Sequence, residues 1–177
     1  GDLAWAAGDM KARGFLLGAT AGRTTLAGEG LQHQDGQSFV MSSIIPNCVS
    51  YDPTYAYELA VIIQEGLRRM VQEQENVFYY ISLMNENYVQ PDMPEAVAEG
   101  ILKGMYCLRS ANQPKKLHVQ LLGSGTILRE VIKAADMLEA DFNVSSDIWS
   151  VTSFTELKRE AEELKRYQQF HPEEKPT

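Results

Sequence analysis

The sequence predicts a mixed α/β protein with mainly parallel sheets. Two observations carry that reading. Short apolar runs of strand type alternate with amphipathic stretches of helical period, and the alternation restarts after a polar stretch containing several prolines and glycines. With 177 residues the chain has room for one domain with a sizeable core, or for parts of two. A hydrophobic fraction of 44% and a charged fraction of 23% exclude a disordered chain, because core formers are present in ordinary supply.

Taken in order, residues 3–7 suit a helical turn, and residues 14–18 form a glycine-bounded apolar run that suits a buried strand. Residues 38–45 are apolar enough to be buried but too short for their period to decide between helix and strand. Tyr51-Asp52-Pro53 opens a helix: Asp52 can cap, Pro53 fits the first helical position, and apolar residues then recur at helical spacing to about Gln74. Residues 77–83, rich in aromatic and branched side chains, read as a central buried strand, with Phe78 and Tyr80 as packing residues. The stretch 91–116 reads as a linker. Beyond it come a strand over 117–122, the turn Gly123-Ser124-Gly125, a helix over 127–138, a strand over 147–151 and a charged amphipathic helix over about 154–169.

A net charge of −8 with no basic stripe argues against a nucleic-acid surface. No apolar stretch approaches the roughly twenty residues that cross a bilayer, so no membrane partner is expected. The start at Gly1 lacks both an initiating Met and a signal peptide, which fits an excised segment of a cytoplasmic protein. Cys48 and Cys107 lack metal-ligand spacing and read as reduced, partly buried thiols. His118 and His171 have no clustered ligands in sequence, so no metal site is expected. Gly123-Ser124-Gly125 resembles a dinucleotide turn only in part: Leu128 stands where a third glycine belongs, and the reading is a structural turn.

Residues 22–36 stand out as a site loop. Gly22, Gly28, Gly30 and Gly36 allow tight turns and close approach of main chain to a ligand, while Glu29, His33 and Asp35 can give, take or orient protons. The loop follows a predicted strand, and in open α/β sheets ligands bind beyond the carboxyl ends of strands.

Five segments, GRTTLAGEGLQHQDG, SIIPNCVSYDPTYAYELA, FYYISLMNENY, VQLLGSGTILREV and SVTSFTEL, resemble in this order the thiamine diphosphate-dependent decarboxylating component of bacterial pyruvate dehydrogenase complexes, of the homodimeric kind. The resemblance covers nearly the whole chain. A subunit of that family is several times longer, so the chain reads as an internal fragment. The resemblance implies a thiamine diphosphate-binding, transketolase-like fold, with residues 1–90 ending the pyrimidine-binding middle domain, 91–116 as linker and 117–177 beginning the C-terminal domain. The activity it implies for the parent subunit is oxidative decarboxylation of pyruvate and reductive acetylation of a lipoyl group on the acyltransferase component.

By the same resemblance, His33 faces the reacting end of thiamine diphosphate and is catalytic together with Glu29, which belongs to the active-site loop system; Asp35 and Arg23, the latter by pairing with one of the loop acids, are expected to position the loop. The parent would use thiamine diphosphate and Mg²⁺ between the subunits of a homodimer. The family's GDG-to-asparagine motif and its activating glutamate lie upstream of Gly1, so this chain carries no diphosphate or metal anchor, and the isolated fragment is expected to be inactive. One departure is plain. After QHQDG the family usually continues His-Ser-His, whereas here Gln37-Ser38-Phe39 follow. That difference supports an alternative, a noncatalytic α/β binding or assembly module of the same fold.

Overall fold

The computed structural model describes residues 1–19, 37–84 and 86–174 and contains two three-stranded sheets with helices packed on them. In the first sheet β3 (Phe78–Ser82) lies between β1 (Phe15–Gly18) and β2 (Cys48–Tyr51), parallel to both. Phe78, Tyr79 and Ile81 are all buried, so β3 is apolar on both faces, as a central parallel strand must be. Two helices precede β2: α1 (Asp2–Asp9) and α2 (Ser38–Ser43). The stretch that periodicity left open is therefore helical at its start, and a strand the sequence reading missed, β2, follows it. β2 hides from a period-two search because all four of its residues are buried.

The helix expected from residue 53 begins later, as α3 (Ala56–Leu67), and passes into a π-helical turn over Arg68–Gln72. Ile62, fully buried, and Met70 face the core formed with Val49, Tyr51, Tyr79 and Ile81. Asp52 does not cap α3. Its place at the start of the helix is taken by the Glu58 carboxylate, which reaches back to the Tyr55 N–H in the manner of a capping box.

The stretch 91–116 carries structure of its own: α4 (Ala98–Lys103) and β4 (Met105–Arg109). Its glycines punctuate these elements, since Gly104 ends α4 in the left-handed region at φ +103°. In the second sheet β6 (Ser145–Val151) is central, parallel to β5 (His118–Gly123) and antiparallel to β4. The amphipathic helix α5 (Ile127–Phe142) buries Leu128 and Ala135 against Ile148. Last comes α6 (Phe154–Phe170), capped by Ser153, whose hydroxyl accepts from the Glu156 N–H at 3.0 Å.

The two sheets meet along β2. Its outer edge is covered by the start of α6: the Ser153 and Thr155 hydroxyls donate to the Ser50 carbonyl, and Arg159 donates to the Cys48 carbonyl. Ile101 and Tyr106 from the α4–β4 segment share the core of the first sheet, so a single apolar cluster runs beneath both. Both cysteines are free thiols. Burial pushes the Cys48 thiol up to about 11 and keeps it protonated at neutral pH.

The connection from β4 to β5 is pinned by Asp147 on β6, which accepts from the Ala111 N–H at 2.9 Å, from Gln120 at 2.8 Å and from His118 Nε2 at 3.1 Å. His118 also meets the Ser145 hydroxyl through Nδ1 at 2.8 Å, so it has partners that its sequence neighbourhood did not reveal. The Ala111 N–H, then Gln120 and His118, hold the Asp147 carboxyl down at about 2.

Two outcomes follow for stability. Gly104→Ala places a Cβ at 2.5 Å from the Ser153 carbonyl oxygen at a left-handed φ, so it should destabilise the protein by more than the roughly 1 kcal/mol of a tolerated glycine change, read as a lower urea midpoint. For Asp147 the folded value lies below the ordinary value near 3.9, so its stabilising contribution is present above about pH 4 and is lost as pH falls toward 2. Asp147→Asn should therefore lower the urea midpoint at pH 6, and the gap to the unsubstituted protein should narrow by pH 2.5.

Candidate functional site at the carboxyl ends of the sheets

The carboxyl ends of β2, β3, β5 and β6 converge on Asp52, the residue that directly follows β2. Asp52 is buried, and its two carboxylate oxygens accept from the Ser82 hydroxyl at the end of β3 and from the Ser124 hydroxyl just past β5, the latter at 2.7 Å. Its main chain is engaged as well. The Asp52 N–H donates to the Thr152 carbonyl at 2.7 Å, and its carbonyl accepts from the Gly125 N–H at 3.2 Å. Gly125 sits at φ +52°, and a Cβ there would come within 2.8 Å of the Asp52 carboxylate, which is why glycine occupies the turn. The Thr54 hydroxyl donates to the Gly125 carbonyl and completes the contact.

A second carboxylate, Glu58, lies one helical turn into α3 and is fully buried. It accepts from the N–H groups of Thr54 and Tyr55, from the Tyr106 hydroxyl at 2.7 Å and from the Ser150 hydroxyl at 2.6 Å. Among the described residues no basic side chain pairs with it; two amides and two hydroxyls satisfy it instead. The Tyr106 hydroxyl also meets that of Tyr57 at 2.5 Å. Burial, then the neighbouring Glu58, raises the Tyr106 hydroxyl far above its ordinary value, and burial foremost pushes Tyr57 up to about 12. Both phenols are therefore proton donors at any physiological pH.

Beside this junction a cavity of about 300 Å³ opens between the residues after β2 and those after β3, lined in part by Tyr55, Ser82, Met84, Tyr88 and Gln90. Tyr88 donates to the Thr54 carbonyl and carries the Arg129 guanidinium 4.5 Å above its ring, while Arg129 pairs with Glu86 at 2.9 Å. The amide of Ala56 at the start of α3 donates to Gln90. The amides of Thr54, Tyr55 and Ala56 at this helix start are thus taken by Glu58 and Gln90.

His33, Glu29, Arg23 and Asp35 all fall within residues 20–36, which lie outside the described residues. What the structure gives is their point of attachment. The strand before them is β1, whose last residue, Gly18, pairs with Ser82, and the Leu83 N–H donates to the Gly18 carbonyl at 2.9 Å. The described residues before the segment thus end just past the carboxyl end of a parallel strand next to the Asp52 junction, and those after it include α2, where Phe39 packs edge-on against Tyr80 at 5.2 Å. The pairings of Asp52 with Ser82 and Ser124 and of Glu58 with Ser150 were missed because the partners are separated by up to 92 residues in sequence. The one local signal was the SYDPTYAYE word itself, which places two carboxylates beside a strand end.

Among the described residues no three His, Cys, Asp or Glu side chains converge as a metal site, and the Gly123-Ser124-Gly125 turn is filled by Asp52 rather than open to a phosphate.

The sequence model of the pyruvate dehydrogenase E1 component middle domain matches residues 1–91, and that of the transketolase-like C-terminal domain matches residues 104–176. The chain is 62% identical over 176 residues to the pyruvate dehydrogenase E1 component of Pseudomonas aeruginosa, covering 99% of this chain and 20% of that protein. It is 59% identical over 177 residues to the protein of the same name from Escherichia coli K12, with coverage of 99% and 20%. It therefore spans about a fifth of the length of the curated relatives it matches. Among solved structures, transketolase from Campylobacter jejuni superposes with a TM-score of 0.62 at 17% identity, over 89% of this chain and 23% of that one. Transketolase from Leishmania mexicana does so with a TM-score of 0.54 at 17% identity, over 73% and 18%. The fold is transketolase-like, and the chain belongs to the pyruvate dehydrogenase E1 component family.

Proposed function

We propose that this chain is the part of a homodimeric pyruvate dehydrogenase subunit in which the pyrimidine-binding domain ends (residues 1–90), a linking segment follows (91–116) and the C-terminal domain begins (117–177). The whole subunit would oxidatively decarboxylate pyruvate with thiamine diphosphate and Mg²⁺, then acetylate a lipoyl domain of the acyltransferase component, in the cytoplasm and within a multienzyme complex. The observation that carries this reading is the 62% identity over 99% of the chain to a pyruvate dehydrogenase E1 component. The matched region covers 176 of the 177 residues.

Within the segment, His33 is proposed to act at the reacting carbon unit, Glu29 to assist it, and Arg23 and Asp35 to hold the loop. The diphosphate and metal anchors belong to parts of the subunit outside this chain. What these residues contribute is positioning and proton movement beyond the end of β1, where an open parallel sheet presents its ligand crevice. The alternative, a noncatalytic module of the same fold, draws on one observation: Phe39, standing where the family usually has histidine, serves as a packing residue against Tyr80.

Two measurements test the reading. Purified as an isolated chain, the protein should show no pyruvate turnover with added thiamine diphosphate and Mg²⁺; ordinary enzymatic rates would contradict the assignment of the anchors to other parts of the subunit. In the full-length subunit, His33→Ala should cut turnover by on the order of a hundredfold or more while leaving cofactor affinity and thermal unfolding nearly unchanged. Near-normal turnover in a folded variant would remove His33 from the chemistry and favour the noncatalytic module.

A further inference from the structure

The geometry points to Asp52 and Ser124 as positioning residues: the turn after β5 in the second sheet, acting through the Asp52 carboxylate, fixes the carboxyl end of the first sheet from which residues 20–36 depart. The inference rests on the functional reading above for its effect on rate, but its structural half stands by itself.

The chain of contacts is short and continuous. Ser124 donates to one Asp52 oxygen and Ser82 donates to the other, so a single buried carboxylate spans the ends of β5 and β3. Ser82 is the residue that pairs with Gly18, and the next residue, Leu83, donates its N–H to the Gly18 carbonyl. Gly18 ends β1, two residues before the segment that contains His33. Three side chains, Ser124, Asp52 and Ser82, therefore connect the second sheet to the end of β1, two residues before residue 20. Asp52 cannot relax away from this duty, because its own N–H and carbonyl are tied to Thr152 and Gly125, both from the second sheet's end. Gly125 adds a steric limit, since the carboxylate packs so closely over its Cα that no side chain fits.

The function of such a clasp follows from how steeply rate depends on position. A misplacement of about 1 Å at a reacting group can cost on the order of a hundredfold in rate even when the altered residue is far from the chemistry. Removing the Ser124 hydroxyl leaves the Asp52 carboxylate buried with one donor fewer, which loosens the end of β3 and with it Gly18. The second sheet thereby influences turnover without contributing a group to the reaction.

The test uses Ser124→Ala in the full-length subunit, with two readouts. The first is peptide-resolved hydrogen exchange, followed at the Leu83 amide; the second is steady-state turnover with pyruvate. The expected result is exchange at Leu83 about tenfold or more faster and kcat lowered about ten- to a hundredfold, with KM for pyruvate within about twofold and the variant lower in thermal midpoint but fully folded at the assay temperature. Ser82→Ala, which cuts the same path at its other end, should give the same pattern, and Ser124→Ala combined with Ser82→Ala should cost less in kcat than the product of the two single effects, since both act through one carboxylate. Unchanged exchange at Leu83 in a folded Ser124→Ala protein would overturn the inference, as would faster exchange with undiminished kcat. Should the unsubstituted subunit fail to turn over pyruvate, the functional reading falls, while the exchange readout still decides whether Ser124 holds the end of β1 and β3.

Discussion

Two buried carboxylates hold this structure together, and the arrangement of both sheets follows from how they are satisfied. Burying a carboxylate costs several kcal/mol unless hydrogen bonds replace its water. Asp52 and Glu58 meet that requirement with hydroxyls and amides drawn from both sheets, from Ser82 and Ser124 for one and from Thr54, Tyr55, Tyr106 and Ser150 for the other. Each donor is specific in direction, so the carboxylates fix a relative placement of the sheets that apolar contact alone would leave free to slide. The shared core of Val49, Ile62, Ile81, Ile101 and Tyr106 supplies the bulk attraction, and the polar junction supplies the register.

Much of the fold was legible because local period and punctuation agree with it. The aromatic run over 77–83 became the central strand β3 and the apolar spacing after Ile127 became α5, whereas the glycine-bounded 14–18 became β1, a strand as expected but at the edge of the sheet with Leu16 and Leu17 half exposed rather than buried. What escaped were elements whose signal is not local. β2 is buried at every position, so no alternation marks it. α4 and β4 sit among prolines and glycines that suggested a linker, and β4 is stabilised by antiparallel pairing with β6, some forty residues away. The capping of α3 shows the same limit: the sequence offered Asp52, but in the fold its carboxylate is taken by Ser82 and Ser124, and Glu58 reaches back to the Tyr55 N–H instead.

The candidate site divides in the same way. The composition of residues 22–36 announces a site loop, and the strand that precedes it is where the sequence put it. The junction beneath was not legible, because hydroxyls such as Ser82, Ser124 and Ser150 are among the commonest polar residues and acquire meaning only when a distant carboxylate faces them. His118 illustrates the converse. Isolated among its sequence neighbours, it is surrounded in the fold by Ser145, Asp147 and Gln120, which align on adjacent strands.

The covering of β2 by α6 makes the first sheet one-sided. On that flank the Ser50 and Cys48 carbonyls are already spent on Ser153, Thr155 and Arg159, and no further strand can be added there. On the opposite flank, among the described residues, β1 pairs with β3 alone, and Leu16 and Leu17 stand about half exposed. The sheet is therefore a template with a single growing edge: any extension by neighbouring polypeptide must proceed outward from β1, and the same edge is where non-native strand pairing would begin if β1 were left bare.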